Sequence, residues 1–130
     1  MSGNRPGVIV VDDEFLIRYT VCQTVIEVGA DALDYSNAEE ALEAISREFF
    51  ALCFLDLRLP GMSGLEALKS IRNLSPKTRV VLMTGSMLNN KEEASVRRSA
   101  DYFLPKPFSL LEVRGIAQDA LRTFVDAEKR

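Results

Sequence analysis

The strongest constraint on the fold is a set of short apolar runs that do not alternate with polar residues. Val8-Ile9-Val10-Val11, Leu52-Cys53-Phe54-Leu55 and Arg79-Val80-Val81-Leu82-Met83 have the length of strands, not of helices. A strand with one wet face alternates, whereas one that is apolar throughout is covered on both faces. Ala32–Tyr35 and Tyr102–Leu104 are shorter candidates of the same kind. Helical spacing fills the intervals. Residues 14–28 carry Phe15, Tyr19, Cys22, Val25 and Ile26. Asn37-Ala38-Glu39-Glu40 starts a segment with Ala38, Ala41, Leu42 and Ile45 on one face. Ser63-Gly64-Leu65-Glu66 and Ser109-Leu110-Leu111-Glu112 read as capping boxes. The first opens a helix with Leu65, Leu68 and Ile71 inward. The second opens the most regular one, with Val113, Ile116, Ala117, Ala120, Leu121, Phe124 and Val125 in register. With a weak helix at 90–98, five strands and five helices alternate strictly. That pattern predicts a doubly wound α/β fold, a five-stranded parallel sheet with helices on both faces. Ligands of such sheets bind at the carboxyl ends of the strands.

The 130 residues suit a single domain over 1–130, with its core at about 7–125. No apolar run approaches the roughly 20 residues of a membrane span. Met1–Pro6 has one basic residue and no apolar stretch of a signal peptide. The expectation is a cytoplasmic protein in a reducing compartment, with Cys22 and Cys53 as small buried hydrophobes. The net charge is −3, unevenly spread. Residues 1–65 carry 4 basic and 11 acidic side chains, and residues 66–130 carry 12 and 8. This suggests an acidic site in the first half and a basic partner face in the second. An acidic chain does not suit direct nucleic-acid binding. The 90–98 helix has Ala94 and Val96 against Lys91, Glu92, Glu93, Arg97 and Arg98, so it is expected to be the least stable element.

Chemistry-bearing residues follow the strands. Asp12 and Asp13 follow the first, Asp56 the next apolar run, Thr84 the third, and Lys106-Pro107 the last. The topology brings these ends to one mouth. Three carboxylates there repel one another, and a hard divalent cation such as magnesium, or manganese, relieves that. Cation and ammonium would offset the charge on a phosphoryl group carried by Asp56, with Thr84 donating to one of its oxygens. Singly these are weak signals: Asp-Asp pairs cap helices and Thr-Gly makes turns. Their joint occurrence, in order, is specific.

The ordered set Asp12-Asp13, Asp56, Thr84 and Lys106-Pro107-Phe108 resembles the receiver domain of two-component response regulators, a flavodoxin-like fold. Ile9-Val10-Val11-Asp12-Asp13-Glu14 and Leu55-Asp56-Leu57-Arg58-Leu59-Pro60-Gly61-Met62-Ser63-Gly64 are close to the family form. The resemblance implies that Asp56 accepts a phosphoryl group from a phosphohistidine on a sensor histidine kinase or phosphotransfer protein. Asp13, Asp56 and the backbone carbonyl of Arg58 would ligate magnesium, with Asp12 acting through water. Lys106 would contact the phosphoryl group, and the Lys106-Pro107 bond would be cis. The domain would be a switch, assisting its own phosphorylation and dephosphorylation without being an enzyme on other substrates. Thr84 and Phe103 would be the switch pair. The family's usual residue at 103 is tyrosine, so a phenylalanine there must be driven by packing alone. Tyr102 should point to the other face. The output face would be residues 90–125, with Lys91, Arg97, Arg98 and Arg114. It would bind a downstream target or an output domain, or pair two copies on phosphorylation. The chain ends just after the last helical pattern with no helix-turn-helix, which suits a stand-alone receiver and a piece of a longer regulator equally.

Three other readings share parts of this pattern. A dehalogenase-type phosphatase needs a carboxylate two residues after the nucleophile, where this chain has Arg58. A flavodoxin-type carrier needs a phosphate loop where this chain has Asp12-Asp13-Glu14. A receiver-like binding module that works without phosphorylation is the remaining alternative.

Overall fold

The structure, a computed structural model, describes residues 5–85 and 88–128, with side chains as far as Arg122. The stretch 1–4, part of the leader reading, and the side chains of Phe124 and Val125 lie outside the described residues. The chain runs β1 (Gly7–Val11), α1 (Phe15–Glu27), β2 (Asp31–Tyr35), α2 (Ala38–Arg47), β3 (Leu52–Asp56), α3 (Gly64–Leu74), β4 (Arg79–Thr84), α4 (Asn90–Ser99), β5 (Tyr102–Pro105) and α5 (Leu110–Glu128). All pairings are parallel, in the order β2-β1-β3-β4-β5. The order reverses between β1 and β3, where such a sheet opens its crevice.

The apolar runs are buried on both faces, as their lack of alternation predicts. Val8, Val10, Phe54, Val81 and Met83 pack with Val21 and Val25 of α1 and with Val113, Ala117 and Leu121 of α5. Ile9, Val11, Cys53, Leu55, Val80 and Leu82 pack with Ala41 and Ile45 of α2, Leu68 and Ile71 of α3, and Val96 of α4. Among the described residues no helix is long and apolar enough to cross a membrane.

Two side-chain expectations are corrected. The buried face of α1 is Val21, Thr24 and Val25, while Phe15, Tyr19 and Ile26 are exposed. At 100° per residue the true face lies roughly a third of a turn from the one read from spacing. Apolar residues occupy most sides of α1, so spacing alone does not select a face, and the sheet decides. Cys53 is buried, but Cys22 is only half-buried.

The caps are mostly as the sequence indicates. Ser109 and Glu112 form both halves of a capping box. Ser63 Oγ accepts the Glu66 amide at 3.2 Å, but the Glu66 carboxylate meets the Ser63 hydroxyl instead of its amide. A full box at Asn89 and Glu92 opens α4. Asn89 stands where this box usually has Ser or Thr, so the residue types do not announce it. Of α4 only Val96 is buried.

Candidate functional site

Val11 pairs with Leu55 across β1 and β3, so Asp12 and Asp56 emerge side by side. Asp56 and Thr84 are the last residues of β3 and β4. Lys106 follows β5, and its amide donates to the Thr84 carbonyl at 2.7 Å. The topology therefore gathers every predicted chemical residue at one end of the sheet. Carboxylate oxygens of Asp12, Asp13 and Asp56 all lie within 4.8 Å of one another. Asp12 and Asp56 are buried and Asp13 is exposed. Lys106 Nζ stands 2.8 Å from Asp12 Oδ2 and 3.5 Å from Asp56 Oδ2. The Lys106-Pro107 peptide is cis.

Burial pushes the Asp56 carboxyl up to about 6. The Arg58 amide, which donates to Oδ1 at 3.0 Å, opposes this. The neighbouring Asp12 charge adds to the rise, and Lys106 works against it. Desolvation pulls the Lys106 ammonium down, but its contact with Asp12 and the charges of Asp12, Asp56 and Glu14 raise it above its ordinary value. Asp12 Oδ2 is fully buried and faces the Lys106 ammonium at 2.8 Å. Three oxygen ligands at this spacing fit a hard divalent cation with several waters left on it.

The loop after β3 is shaped around Asp56. The Gly64 amide donates to the Leu57 carbonyl at 2.9 Å, and the Leu57 amide to the Met83 carbonyl at 2.8 Å. A Cβ at Gly64 would stand 2.5 Å from the Asp56 carbonyl oxygen and 2.5 Å from Leu57 Cα. Gly61 turns the same loop with φ +77°. The sequence shows these glycines as chain breaks; the close approach at Gly64 is tertiary and leaves no local signal.

Tyr102 and Phe103 take opposite faces, as alternation requires. Tyr102 packs on the α1/α5 side, and its hydroxyl donates to Asp119 of α5 at 2.5 Å. Phe103 packs on the α4 side and lines an open cleft of about 310 Å³ with Thr84, Gly85, Leu88 and Lys106. Phe103 is not held by packing alone. The Arg97 guanidinium lies 5.0 Å from its ring centroid and is itself paired with Glu93 at 3.0 Å. The expected basic face is thus partly neutralised: Arg97 pairs within α4, and Arg114 pairs with Glu27 of α1.

Comparison with known proteins finds relatives along nearly the whole chain. The family model described as the response regulator receiver domain matches residues 8–118. The transcriptional regulator NtrC of Escherichia coli is 29% identical over 125 residues, 96% of this chain and 27% of that protein. The response regulator protein PilR of Pseudomonas aeruginosa is 34% identical over 119 residues, 92% of this chain and 27% of that protein. The chain thus spans about a quarter of the length of these curated relatives. A solved CheY-like receiver domain from Methanospirillum hungatei superposes with a TM-score of 0.81 at 26% identity, covering 97% of this chain and 98% of that one.

Proposed function

The chain belongs to the response regulator receiver domain family, and from that premise we propose that Asp56 is its phosphoacceptor, taking a phosphoryl group from a phosphohistidine on a sensor kinase or phosphotransfer protein. The observation that carries the assignment is the mouth itself: three carboxylates within 4.8 Å of one another, with one ammonium against two of them. Asp13, Asp56 and the Arg58 backbone carbonyl would hold Mg2+, with Asp12 holding one of its waters. When bound, the cation offsets the negative charge that builds on the transferring group.

The chain's own residues do the rest. An Asp56 carboxylate oxygen attacks phosphorus, the donor's P–N bond breaks, and its electron pair returns to the imidazole. Burial makes Asp56 a stronger nucleophile than a solvated aspartate would be. Lys106 is held over the site by Asp12, so its charge is in place before the phosphoryl group arrives. Thr84 donates a hydrogen bond to the bound phosphoryl group. The same groups assist hydrolysis of the acyl phosphate. Phe103, beside the cleft shared with Thr84, transmits the change to the α4 side.

Residues 1–130 form one receiver unit in this reading. The exposed Phe15 and Leu16, which directly follow the acidic loop, offer an apolar contact for the phosphodonor. The 90–125 face would meet a downstream protein, an output domain or a second copy.

The test is incubation with acetyl phosphate and Mg2+, followed by intact mass. A gain of one phosphoryl group is expected in the native chain and not in Asp56→Asn or without the metal. A gain retained by Asp56→Asn refutes the assignment.

A further inference from the structure

Arg18 lies one turn into α1 and reaches back to the residue that follows β1. Its Nη1 donates to the Asp12 carbonyl at 2.9 Å, and its Nε to Asp34 Oδ2 on β2 at 2.7 Å. The side chain is 16% exposed, and its guanidinium lies 5.8 Å from the Phe15 ring centroid. One planar fork therefore ties the exit of β1 to α1 and to the end of β2.

The bonded carbonyl has a particular place in the chain. It is the oxygen of the peptide joining Asp12 to Asp13, and a peptide unit is a rigid plane. Asp12 itself is held at its other polar atoms. Its amide donates to the Tyr35 carbonyl at 3.2 Å, its Oδ1 accepts the Glu14 amide at 2.9 Å, and its Oδ2 faces Lys106. Asp13 is exposed, and the plane that leads into it sets the direction in which its side chain leaves the backbone toward Asp12 and Asp56. A guanidinium fork fixes such a plane better than an ammonium, because its donors have set directions.

We propose that Arg18 is a positioning residue of the acidic site, setting the Asp12–Asp13 peptide so that the two carboxylates meet one cation together. The inference rests on the reading that this mouth binds Mg2+. It also carries its own sign. A positive charge near a cation site opposes binding, so electrostatics alone would make removal of Arg18 tighten Mg2+. Positioning makes removal weaken it.

The experiment is a calorimetric Mg2+ titration of the whole chain, with circular dichroism confirming the native fold at the working temperature. Arg18→Met keeps the apolar stem and removes the charge and the donors. Its Mg2+ affinity is expected to fall about tenfold, the lower end for outer-shell partners of metal ligands. Arg18→Lys restores one donor and recovers part of the loss, remaining weaker than the wild type. Equal or tighter binding by Arg18→Met beside a wild type that binds overturns the inference and leaves the reading of the mouth intact. Absence of binding by the wild type overturns both. If Arg18→Met does not fold, Arg18→Lys decides: weaker binding supports the positioning role, and equal binding overturns it.

Discussion

Asp56→Asn should make the metal-free protein more stable, although it removes the proposed phosphoacceptor. The native fold holds the Asp56 carboxyl at about 6, against an ordinary value of 3.8. A carboxylate raised on folding is a cost wherever it is ionised in both states. At about 1.4 kcal/mol per pKa unit the full cost is roughly 3 kcal/mol. Water and counter-ions at the open mouth screen part of it, leaving about 2 kcal/mol. The sign follows from linkage: the native state binds the proton more tightly, so stability falls as pH rises from about 4 through about 6, then levels. Asparagine keeps the shape and abolishes the titration. Lys106 keeps its closer partner Asp12, so no cation is stranded.

The assay is urea unfolding followed by circular dichroism with EDTA present. At pH 7.5 the variant should be more stable by about 2 kcal/mol, and the gap should shrink below about 1 kcal/mol near pH 4.5. Lys106, coupled to Asp56 and raised above its ordinary value, stays charged across this range, and groups away from the mouth cancel in the difference. Magnesium should stabilise the wild type by mass action and the variant much less. A variant no more stable than the wild type at pH 7.5, or a gap independent of pH, would refute the electrostatic account of the mouth.

Gly64→Ala should destabilise the protein by about 1–3 kcal/mol, read as a lower urea midpoint, because its Cβ would meet backbone atoms at 2.5 Å. It should also weaken Mg2+ binding, since the backbone displaced is that of Asp56 and Leu57; a midpoint within experimental error of the wild type would count against the close approach. Amide exchange in α4 should be faster than in the first three turns of α5, because α4 buries only Val96 whereas α5 buries Val113, Ala117 and Ala120. Arg97→Ala should accelerate α4 exchange a further two- to fivefold through loss of the stack on Phe103 and the pair with Glu93, and an unchanged rate would show both to be idle.

The parts of this molecule that were legible in its sequence share a cause. A strand buried on both faces must be apolar throughout, so β1, β3 and β4 stand out, and whatever polar residue ends each one is conspicuous. Asp12, Asp56 and Thr84 were visible for that reason, and the topology then forces them together. The buried face of α1 was hidden by the same logic reversed: a helix apolar on most sides carries no periodic signal, and its exposed Phe15 and Tyr19 look like core until a sheet is placed beside them. Gly64 and Arg18 were hidden for a different reason. Each acts on a backbone oxygen near the mouth, Gly64 by leaving room beside that of Asp56 and Arg18 by donating to that of Asp12. Every residue has such an oxygen, so no pattern of side chains announces which one matters. Phe103 falls between the two cases. Its position was legible from the lysine three residues on, but its restraint is a cation from α4, the helix that the sequence marks as least secured. A ring restrained by a cation of the helix that buries least would follow that helix, so in the proposed switch a phenylalanine without a hydroxyl would couple the mouth to α4.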